Sequence, residues 1–372
     1  MKKAIFSFIL AGALALTACG GSLPDEPEDE KAQFYAYYCR DCGECATYTL
    51  GNYRSQTTMF LDYESMKTAP LCAVPNCNHQ DSDCLAKNAE YPIICGGDMY
   101  FFRSKYGVEE TKKGREFRMH SEFKKATLDN SEIQTMCEFT DAIPRIEDTM
   151  VIYGRKLFFI AYDPDVDIDA YGGSTIKSGG GHDFLCSVDL DKFEYKNYGS
   201  ICYVEDEYPA ADNSSSAHIT GFGDGKIYIG YEFMKDFADP QNGVVPEWTR
   251  YSFVFDTKTE QYSESSLPAA ICADDELYCY LDDEGDKLHV IKDGTDNPLD
   301  YANYSNMALH FGDRLFVAGA WVDLTDMTVH YLSDEYSHYS AVAYFGGDYI
   351  MREGDSTFLK LTEDELLALG KE

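Results

Sequence analysis

Three cysteines and one histidine lie close together in residues 71–86, which read LCAVPNCNHQDSDCLA. The spacing C-x4-C-x-H-x4-C contains four candidate ligands: Cys72, Cys77, His79 and Cys84. Three thiolates and an imidazole can bind Zn²⁺ tetrahedrally, although this spacing is not that of the common zinc modules. Clustered thiols of an exported chain are more often oxidised, which favours disulfide bonding beside an incidental histidine. Zinc binding and unpaired thiols remain the alternatives.

Four further cysteines are spaced for cross-strand pairing: Cys186, Cys202, Cys272 and Cys279. Cys272 and Cys279 flank a turn at residues 274–276, and the other two flank a turn near residue 194. Opposite residues on adjacent strands have Cβ atoms about 4.5–5.5 Å apart, close to the separation in a disulfide. Cross-strand disulfides and buried free thiols are both open for these pairs.

A third group of cysteines, Cys39, Cys42 and Cys45, has the spacing C-x2-C-x2-C. Such spacing occurs in iron–sulfur sites, in zinc sites and in proteins of thiol exchange. No fourth cysteine follows at a familiar distance, so we expect these thiols to pair with partners elsewhere in the chain.

Acidic residues alternate along YDPDVDIDAYGG, residues 162–173: Asp163, Asp165, Asp167 and Asp169. The segment begins like a calcium loop, but Ile168 stands where such a loop has glycine and Ser174 where it has glutamate. An ordinary solvated acidic loop is the favoured interpretation, and a site for a hard cation such as calcium is the alternative.

No catalytic residue can be singled out from the sequence. The Gly-x-Ser-x-Gly elbow of serine hydrolases is absent. With 65 Asp and Glu residues, a carboxylate pair of the glycosidase type stays open, but nothing marks one pair among them.

The N-terminal residues predict export and lipid attachment. Lys2 and Lys3 precede an apolar run at residues 4–16, which is shorter than the roughly 20 residues of a membrane-spanning helix and is typical of a cleaved signal. Leu-Thr-Ala before Cys19 resembles the bacterial lipobox, in which this cysteine carries lipid. We expect a signal peptide at residues 1–18, a lipidated, flexible acidic tether at 19–33 and one extracytoplasmic domain at 34–372.

The charge balance excludes one class of partner. The chain has 65 acidic and 31 basic residues, a net charge of −34. Such a polyanion is repelled by nucleic acid and by anionic headgroups, so we expect no nucleic-acid partner and a membrane contact through the lipid alone.

A Gly/Asp turn followed by an alternating aromatic and aliphatic strand recurs along the chain, beginning at residues 97, 154, 224, 274, 312 and 346. Each copy is followed by a second hairpin, which together predict the four-stranded blades of an all-β propeller. We expect about seven blades, although six or eight also fit. The hairpin at residues 58–71 is interpreted as a partial unit that completes the last blade. A sandwich of short strands is the alternative fold.

The capping box formed by Thr362 and Glu365 predicts a short C-terminal helix. Long insertions at residues 105–119, 163–181 and 233–247 are expected to decorate one face of the propeller.

The segment Leu-Cys-x-x-Pro-x-Cys-x-His with a further cysteine, followed by Gly-Asp aromatic hairpins, resembles uncharacterised propeller-like lipoproteins of gut Firmicutes. The resemblance covers the lipobox, residues 71–86 and the hairpin repeat. It implies a lipid-anchored β-propeller without an assigned activity.

The sequence therefore favours a membrane-anchored binding or scaffolding propeller without a cofactor, whose ligand is a glycan or a peptide. Trp248, Trp321 and surface tyrosines would suit such a ligand. A propeller enzyme acting on glycans is one alternative. A zinc-stabilised or redox-active surface protein is the other.

Overall fold

Short strands between tight turns make up nearly all of the regular structure, as the repeat predicts. The computed structural model describes residues 33–35, 39–50, 57–79, 84–112, 114–128, 132–145, 149–168, 174–201, 214–235, 247–282, 286–301, 307–354 and 356–370. Within these ranges no helix has the length and apolar character needed to cross a membrane.

The strands form antiparallel meanders, which we number as blades in chain order. Blade 1 contains β2 Cys39–Asp41, β3 Cys45–Leu50, β4 Thr57–Asp62 and β5 Lys67–Pro70. Blade 2 contains β6 Glu90–Cys95, β7 Asp98–Thr111, β8 Gly114–Thr127 and β9 Ile133–Phe139. Blade 3 contains β10 Ile143–Pro144, β11 Met150–Tyr153, β12 Lys156–Ile168, β13 Ser174–Asp189 and β14 Tyr195–Ser200. A further strand, β1 Gln33–Tyr35, pairs antiparallel with β11.

The second half of the chain continues the pattern. Blade 4 contains β15 Ser214–Gly223, β16 Lys226–Lys235, β17 Glu247–Asp256 and β18 Gln261–Glu264. Blade 5 contains β19 Cys272–Ala273, β20 Leu277–Leu281, β21 Lys287–Lys292 and β22 Thr295–Asp300. Blade 6 contains β23 Leu309–Phe311, β24 Arg314–Val317, β25 Ala320–Asp323 and β26 Thr328–Tyr331. Blade 7 contains β27 Tyr339–Phe345, β28 Asp348–Glu353 and β29 Thr357–Leu361.

Six hydrogen-bonded sheets thus make seven blades among the described residues. Blades 4 and 5 share one eight-stranded sheet, because Gly221 of β15 forms a parallel bridge to Ala273 of β19. The backbones approach so closely here that a Cβ on Gly221 would lie 2.1 Å from the Ala273 carbonyl oxygen. The all-β propeller of about seven blades is therefore confirmed, and the sandwich is excluded.

The turn between the first and second strands of a blade explains why its hairpin forms at that position. Gly154 and Arg155 have φ of +54° and +62°, and Asp224 and Gly225 have φ of +49° and +71°. Two successive left-handed residues match the twist of a two-residue hairpin, which glycine and aspartate tolerate best. In an antiparallel meander these turns lie on one face, which we call the turn face. The long β7–β8, β12–β13 and β16–β17 hairpins reach the opposite face.

The ring closes differently from the sequence-based expectation. The hairpin at residues 58–71 does not complete the last blade, because it supplies the outer strands β4 and β5 of blade 1, whose inner strands are β2 and β3. In the described residues, blade 7 keeps three strands and has no strand pairing with blade 1. Buried residues from both blades pack at this seam: Tyr48, Leu61, Tyr63, Val342 and Ile350.

Two short helices, α1 Leu85–Asn88 and α2 Glu363–Ala368, complete the described structure. The predicted capping box is present at α2, where the Thr362 hydroxyl accepts from the Glu365 amide and the Glu365 carboxylate accepts from the Thr362 amide. Helix α2 buries Leu366 against blades 6 and 7.

Candidate functional site

The four candidate ligands of residues 71–86 converge in the structure. One donor atom from each of Cys72, Cys77, His79 and Cys84 lies within 4.8 Å of all the others. His79 presents Nδ1, which is 3.5 Å from the Cys84 sulfur. Cys84 is buried and the other three side chains are half-buried.

Local backbone geometry brings these residues together. After β5 ends at Pro70, the Cys77 amide donates to the Val74 carbonyl and closes a turn. Asn76 and His79 then take left-handed φ of +60° and +57°, which reverse the chain within a few residues. Cys84 precedes α1, whose Leu85 and Ala86 are buried. The cluster therefore lies on the crossover between the outer strand of blade 1 and the inner strand of blade 2.

Backbone amides point at the sulfur atoms. The His79 amide donates to the Cys77 sulfur at 3.4 Å. The backbone N–H groups of Val74 and Lys87 lie near Cys72 and Cys84 and lower the pKa of these thiols, although the Lys87 amide itself donates to the Cys84 carbonyl at 3.1 Å. Burial outweighs them and raises the pKa of Cys84 to about 12. Burial likewise raises the pKa of Cys72, so Cys72 and Cys84 hold their protons more tightly than a free cysteine does.

The other predicted cysteine pairs are placed as follows. Cys272 and Cys279 are register partners on β19 and β20, and both carry thiols. The Cys279 thiol donates to the Cys272 carbonyl at 3.5 Å. Cys186 is buried on β13 and its sulfur is 3.2 Å from the Tyr195 hydroxyl, whereas Cys202 lies outside the described residues. Disulfide bonding at both pairs stays a prediction.

The C-x2-C-x2-C thiols face two different cores. Cys39 packs between blades 1 and 7, while Cys42 and Cys45 pack with blade 2. Burial raises the pKa of Cys39 to about 12. In the described part of the chain these three sulfurs do not converge as a ligand group.

The expected acidic loop is a strand instead. Asp163, Asp165 and Asp167 all lie on β12, which pairs with β13 up to Ile168. Asp169 lies outside the described residues. Hairpin pairing holds this backbone extended, so the loop assumed for the calcium-like motif is corrected to a β-extension.

Trp321, which was expected to face a ligand, is a core residue. It is 1% exposed, stacks on His330 with ring centroids 4.0 Å apart, and lies under the Arg314 guanidinium at 4.7 Å. Burial on both ring faces excludes a surface role. Cys19 and the Trp248 side chain lie outside the described residues.

Two half-buried carboxylates, those of Asp41 and Glu90, are the candidates for acid–base chemistry. Burial raises the pKa of Asp41 to about 6, although the Gly43 amide and the Tyr63 hydroxyl donate to it. Burial likewise raises the pKa of Glu90 to about 7, with the Ser104 amide donating at 3.1 Å. Each carboxyl is thus held by neighbouring backbone and hydroxyl groups inside its own blade.

A second group of possible metal donors, His120, Glu122 and Glu138, lies on the surface of blade 2. Glu122 is already engaged by the Lys124 ammonium at 3.3 Å and by the Thr135 hydroxyl at 3.3 Å. We interpret this group as an ordinary surface charge network.

A cleft of about 460 Å³ opens on the turn face between blades 4 and 5. Tyr228 and Tyr278 form one wall, with ring centroids 5.5 Å apart in an edge-to-face arrangement. The turns of blade 5 form the rim and contribute four acidic residues and one lysine: Asp274, Asp275, Glu276, Asp293 and Lys292. The lysine ammonium is turned aside to the Leu324 carbonyl at 3.4 Å.

A histidine from blade 6 holds this rim. His310 places Nδ1 2.6 Å from an Asp274 carboxylate oxygen and Nε2 2.6 Å from the Gly312 carbonyl. Both partners accept, so both contacts are hydrogen bonds only when both ring nitrogens donate, as they do in the protonated imidazolium. Burial lowers the pKa of His310, but the hydrogen bond and charge of Asp274 outweigh it, so the pKa is raised.

Sequence reasoning missed the cleft and this contact. Asp274 and His310 are separated by 36 residues, and only the packing of blade 5 on blade 6 brings them together. The available signal was a histidine two residues before the Gly312 turn and an aspartate opening the preceding blade's turn.

Comparison with known proteins gives likeness of fold only. No family model matches the chain, and no curated protein sequence matches it. The β-propeller domain of the trilobed protease from Pyrococcus furiosus is similar in structure, with 13% identity, a TM-score of 0.44, and coverage of 89% of this chain and 98% of that one. An acylaminoacyl peptidase has 12% identity and a TM-score of 0.45, covering 89% of this chain. The chain spans 53% of that peptidase. A chain of a nidogen–laminin complex has 9% identity and a TM-score of 0.32, with 80% and 92% coverage.

Proposed function

We propose that this protein is a lipid-anchored, extracytoplasmic β-propeller that binds a basic peptide segment in the cleft between blades 4 and 5. The observation that supports this most directly is the cleft itself, with its tyrosine wall and carboxylate rim. Of the two ligand classes that the sequence leaves open, a peptide with Lys or Arg side chains fits this chemistry better than a neutral glycan.

The charge of the rim selects a cation. Asp274 is paired with His310, which leaves Asp275, Glu276 and Asp293 as the other carboxylates of the rim. Glu276 is 70% exposed, so its carboxylate is open to a ligand. Asp275 uses one oxygen to accept from the Asp224 amide at 2.5 Å, which fixes the direction of its carboxylate.

The tyrosine wall complements this charge. A cation over an aromatic ring gains about 0.5–2 kcal/mol, and an arginine can also form paired hydrogen bonds to a carboxylate. The Tyr278 hydroxyl is fixed because it donates to the Pro268 carbonyl at 2.5 Å. A Lys or Arg side chain would therefore enter a site whose walls are already ordered.

The test uses a labelled Lys/Arg-rich hexapeptide and an all-Gln hexapeptide, titrated by fluorescence anisotropy at 0.15 M salt. Asp275→Asn with Glu276→Gln should weaken binding of the basic peptide at least tenfold, about 1.4 kcal/mol. The matched control is Asp334→Asn with Glu335→Gln. These two exposed acidic residues are adjacent in the segment between β26 and β27. An equal loss in both variants would mean attraction to overall charge, and no preference for the basic peptide would reject the cleft as its site.

Anchoring at Cys19 is part of the same proposal and is supported by the lipobox-like sequence alone. Cys19→Ser should move the exported protein from the membrane fraction to the soluble extracytoplasmic fraction. Retention of the variant in the membrane would show that another element attaches it.

A further inference from the structure

We infer that Cys72, Cys77, His79 and Cys84 bind one structural Zn²⁺ that fixes the crossover from blade 1 to blade 2. The inference is independent of the cleft. It replaces the disulfide interpretation that the sequence alone favours for this segment.

The spacing of the donor atoms fits a tetrahedral ion. With Zn–S near 2.3 Å and Zn–N near 2.0 Å, ligand atoms around tetrahedral zinc lie roughly 3.3–3.8 Å apart. The four donors here lie within 4.8 Å of one another, and His79 Nδ1 lies 3.5 Å from the Cys84 sulfur. The widest separation therefore has to shorten by no more than about 1 Å, which is within the reach of side-chain rotation.

The donor set favours a borderline ion such as zinc over the hard cations. Thiolate and imidazole ligands exclude the hard cations calcium and magnesium, which take oxygen ligands. Four protein ligands fill a tetrahedron and leave no open position for water or substrate. The ion is therefore structural, and hydrolytic chemistry at this centre is not expected.

A backbone hydrogen bond to sulfur supports the thiolate state. The His79 amide donates to the Cys77 sulfur at 3.4 Å. Such bonds orient ligands and stabilise their negative charge when metal is bound. Zn²⁺ then displaces the thiol protons, so binding releases up to three protons and strengthens as pH rises.

A disulfide explains the cluster less completely. One bond uses two of the three sulfurs and leaves a thiol and the imidazole together without a role. The backbone of His79 has a left-handed φ, and its Nδ1 faces the Cys84 sulfur. Binding of one ion by all four groups accounts for both features.

The position of the site gives the ion a structural consequence. Three ligands follow β5 of blade 1, and Cys84 opens α1, which leads into β6 of blade 2. The Thr58 hydroxyl donates to the Ala89 carbonyl at 3.2 Å, so the end of α1 is already held against β4. Zinc would likewise fix the loop between β5 and α1, which carries the other three ligands, next to the start of α1.

The experiment uses the full chain expressed with export and purified without added metal. Elemental analysis should find one zinc per chain, and thiols counted in denaturant with a chelator should include all three cysteines of the cluster. Cys84→Ser should reduce zinc to less than a tenth per chain. Cys137→Ser, which removes a half-buried thiol of β9 outside the cluster, should keep the full amount.

Replacement of zinc by Co²⁺ provides a readout that does not depend on any variant folding. A tetrahedral site with three thiolates should give intense visible and sulfur-to-metal charge-transfer absorption, which added zinc abolishes. A wild-type chain with no metal, no cobalt spectrum and a disulfide between any two of the three cysteines in non-reducing peptide mapping would overturn the inference.

Discussion

Two blade junctions contain a histidine among ionisable side chains, and they use it in opposite ways. Between blades 1 and 2, His79 presents a ring nitrogen to three thiols at the surface end of a crossover. Between blades 5 and 6, His310 donates from both nitrogens, to Asp274 and to the Gly312 carbonyl. The first arrangement needs a neutral imidazole and suits a metal ion. The second needs a protonated imidazole, so the contact of His310 with blade 5 is coupled to the binding of a proton.

The difference follows from the chemistry of the neighbours. Thiols carry no charge until a cation displaces their protons, so the first junction gains its electrostatic attraction only with metal. A carboxylate is charged at neutral pH, and its negative charge favours the protonated form of the imidazole without any added ion. The two junctions should therefore respond to different reagents, a chelator and a change of pH.

The largest effect is expected from metal removal. At free zinc one hundred times its dissociation constant, a bound ion stabilises the folded state by about 2.7 kcal/mol. A chelator should therefore lower the thermal midpoint of the wild-type chain, measured by scanning calorimetry. The midpoint of Cys84→Ser should start lower and should not respond to chelator. Equal responses of the two proteins would contradict a metal at this junction.

A smaller effect is expected at His310, and it depends on pH. The folded pKa is raised above the unfolded value of about 6.5, so the stabilisation is complete below that pH and is lost as pH rises through the folded pKa. A hydrogen bond to a charged group contributes about 1.5–3 kcal/mol, so His310→Asn should cost about 2 kcal/mol at pH 5.5 and less at pH 9. Urea unfolding at both values measures this difference.

The groups that face His310 set the acid limit of the effect. Asp274 has a lowered pKa, so its part is lost only as pH falls below about 3.9 through the folded pKa, and Glu276 lies 3.9 Å from Nε2. Equal costs at pH 5.5 and 9 would show that His310 acts by packing rather than by charge.

The smallest effect is expected from His338, which pairs with Glu353 at 2.9 Å on the surface. Both side chains are more than a third exposed, so His338→Asn should change stability by less than about 0.5 kcal/mol at either pH. A pH-dependent loss as large as that of His310 would show that burial does not distinguish these contacts.

What the sequence predicted was mostly local. Asp224 and Gly225 mark a hairpin because the required left-handed φ values depend on those residues alone. The same holds for the capping box of Thr362 and Glu365. The proximity of Cys72 and Cys84 could also be predicted from the sequence, because only a short segment separates them.

What the sequence could not predict depends on the packing of distant strands. The partner of the hairpin at residues 58–71 is a choice between blade 1 and blade 7, and both satisfy the same alternation of apolar side chains. Cys39 and Cys42 both lie in blade 1 but face different cores, because Cys39 packs at the seam with blade 7 and Cys42 packs against blade 2. Trp321 reads equally well as a ligand contact or as core until His330 is seen beneath it.

The seam between blades 7 and 1 gives the molecule a preferred place to part. Each blade is joined by the chain to the blade that follows it, whereas β27 and β2 meet through side chains such as Tyr48 and Ile350. Separation there breaks no strand pairing among the described residues. The Lys360 ammonium, which donates to the Tyr63 carbonyl at 3.4 Å, forms a polar link across this boundary. The propeller is therefore a ring that is closed at this boundary by side-chain packing, and mechanical or thermal opening should begin there.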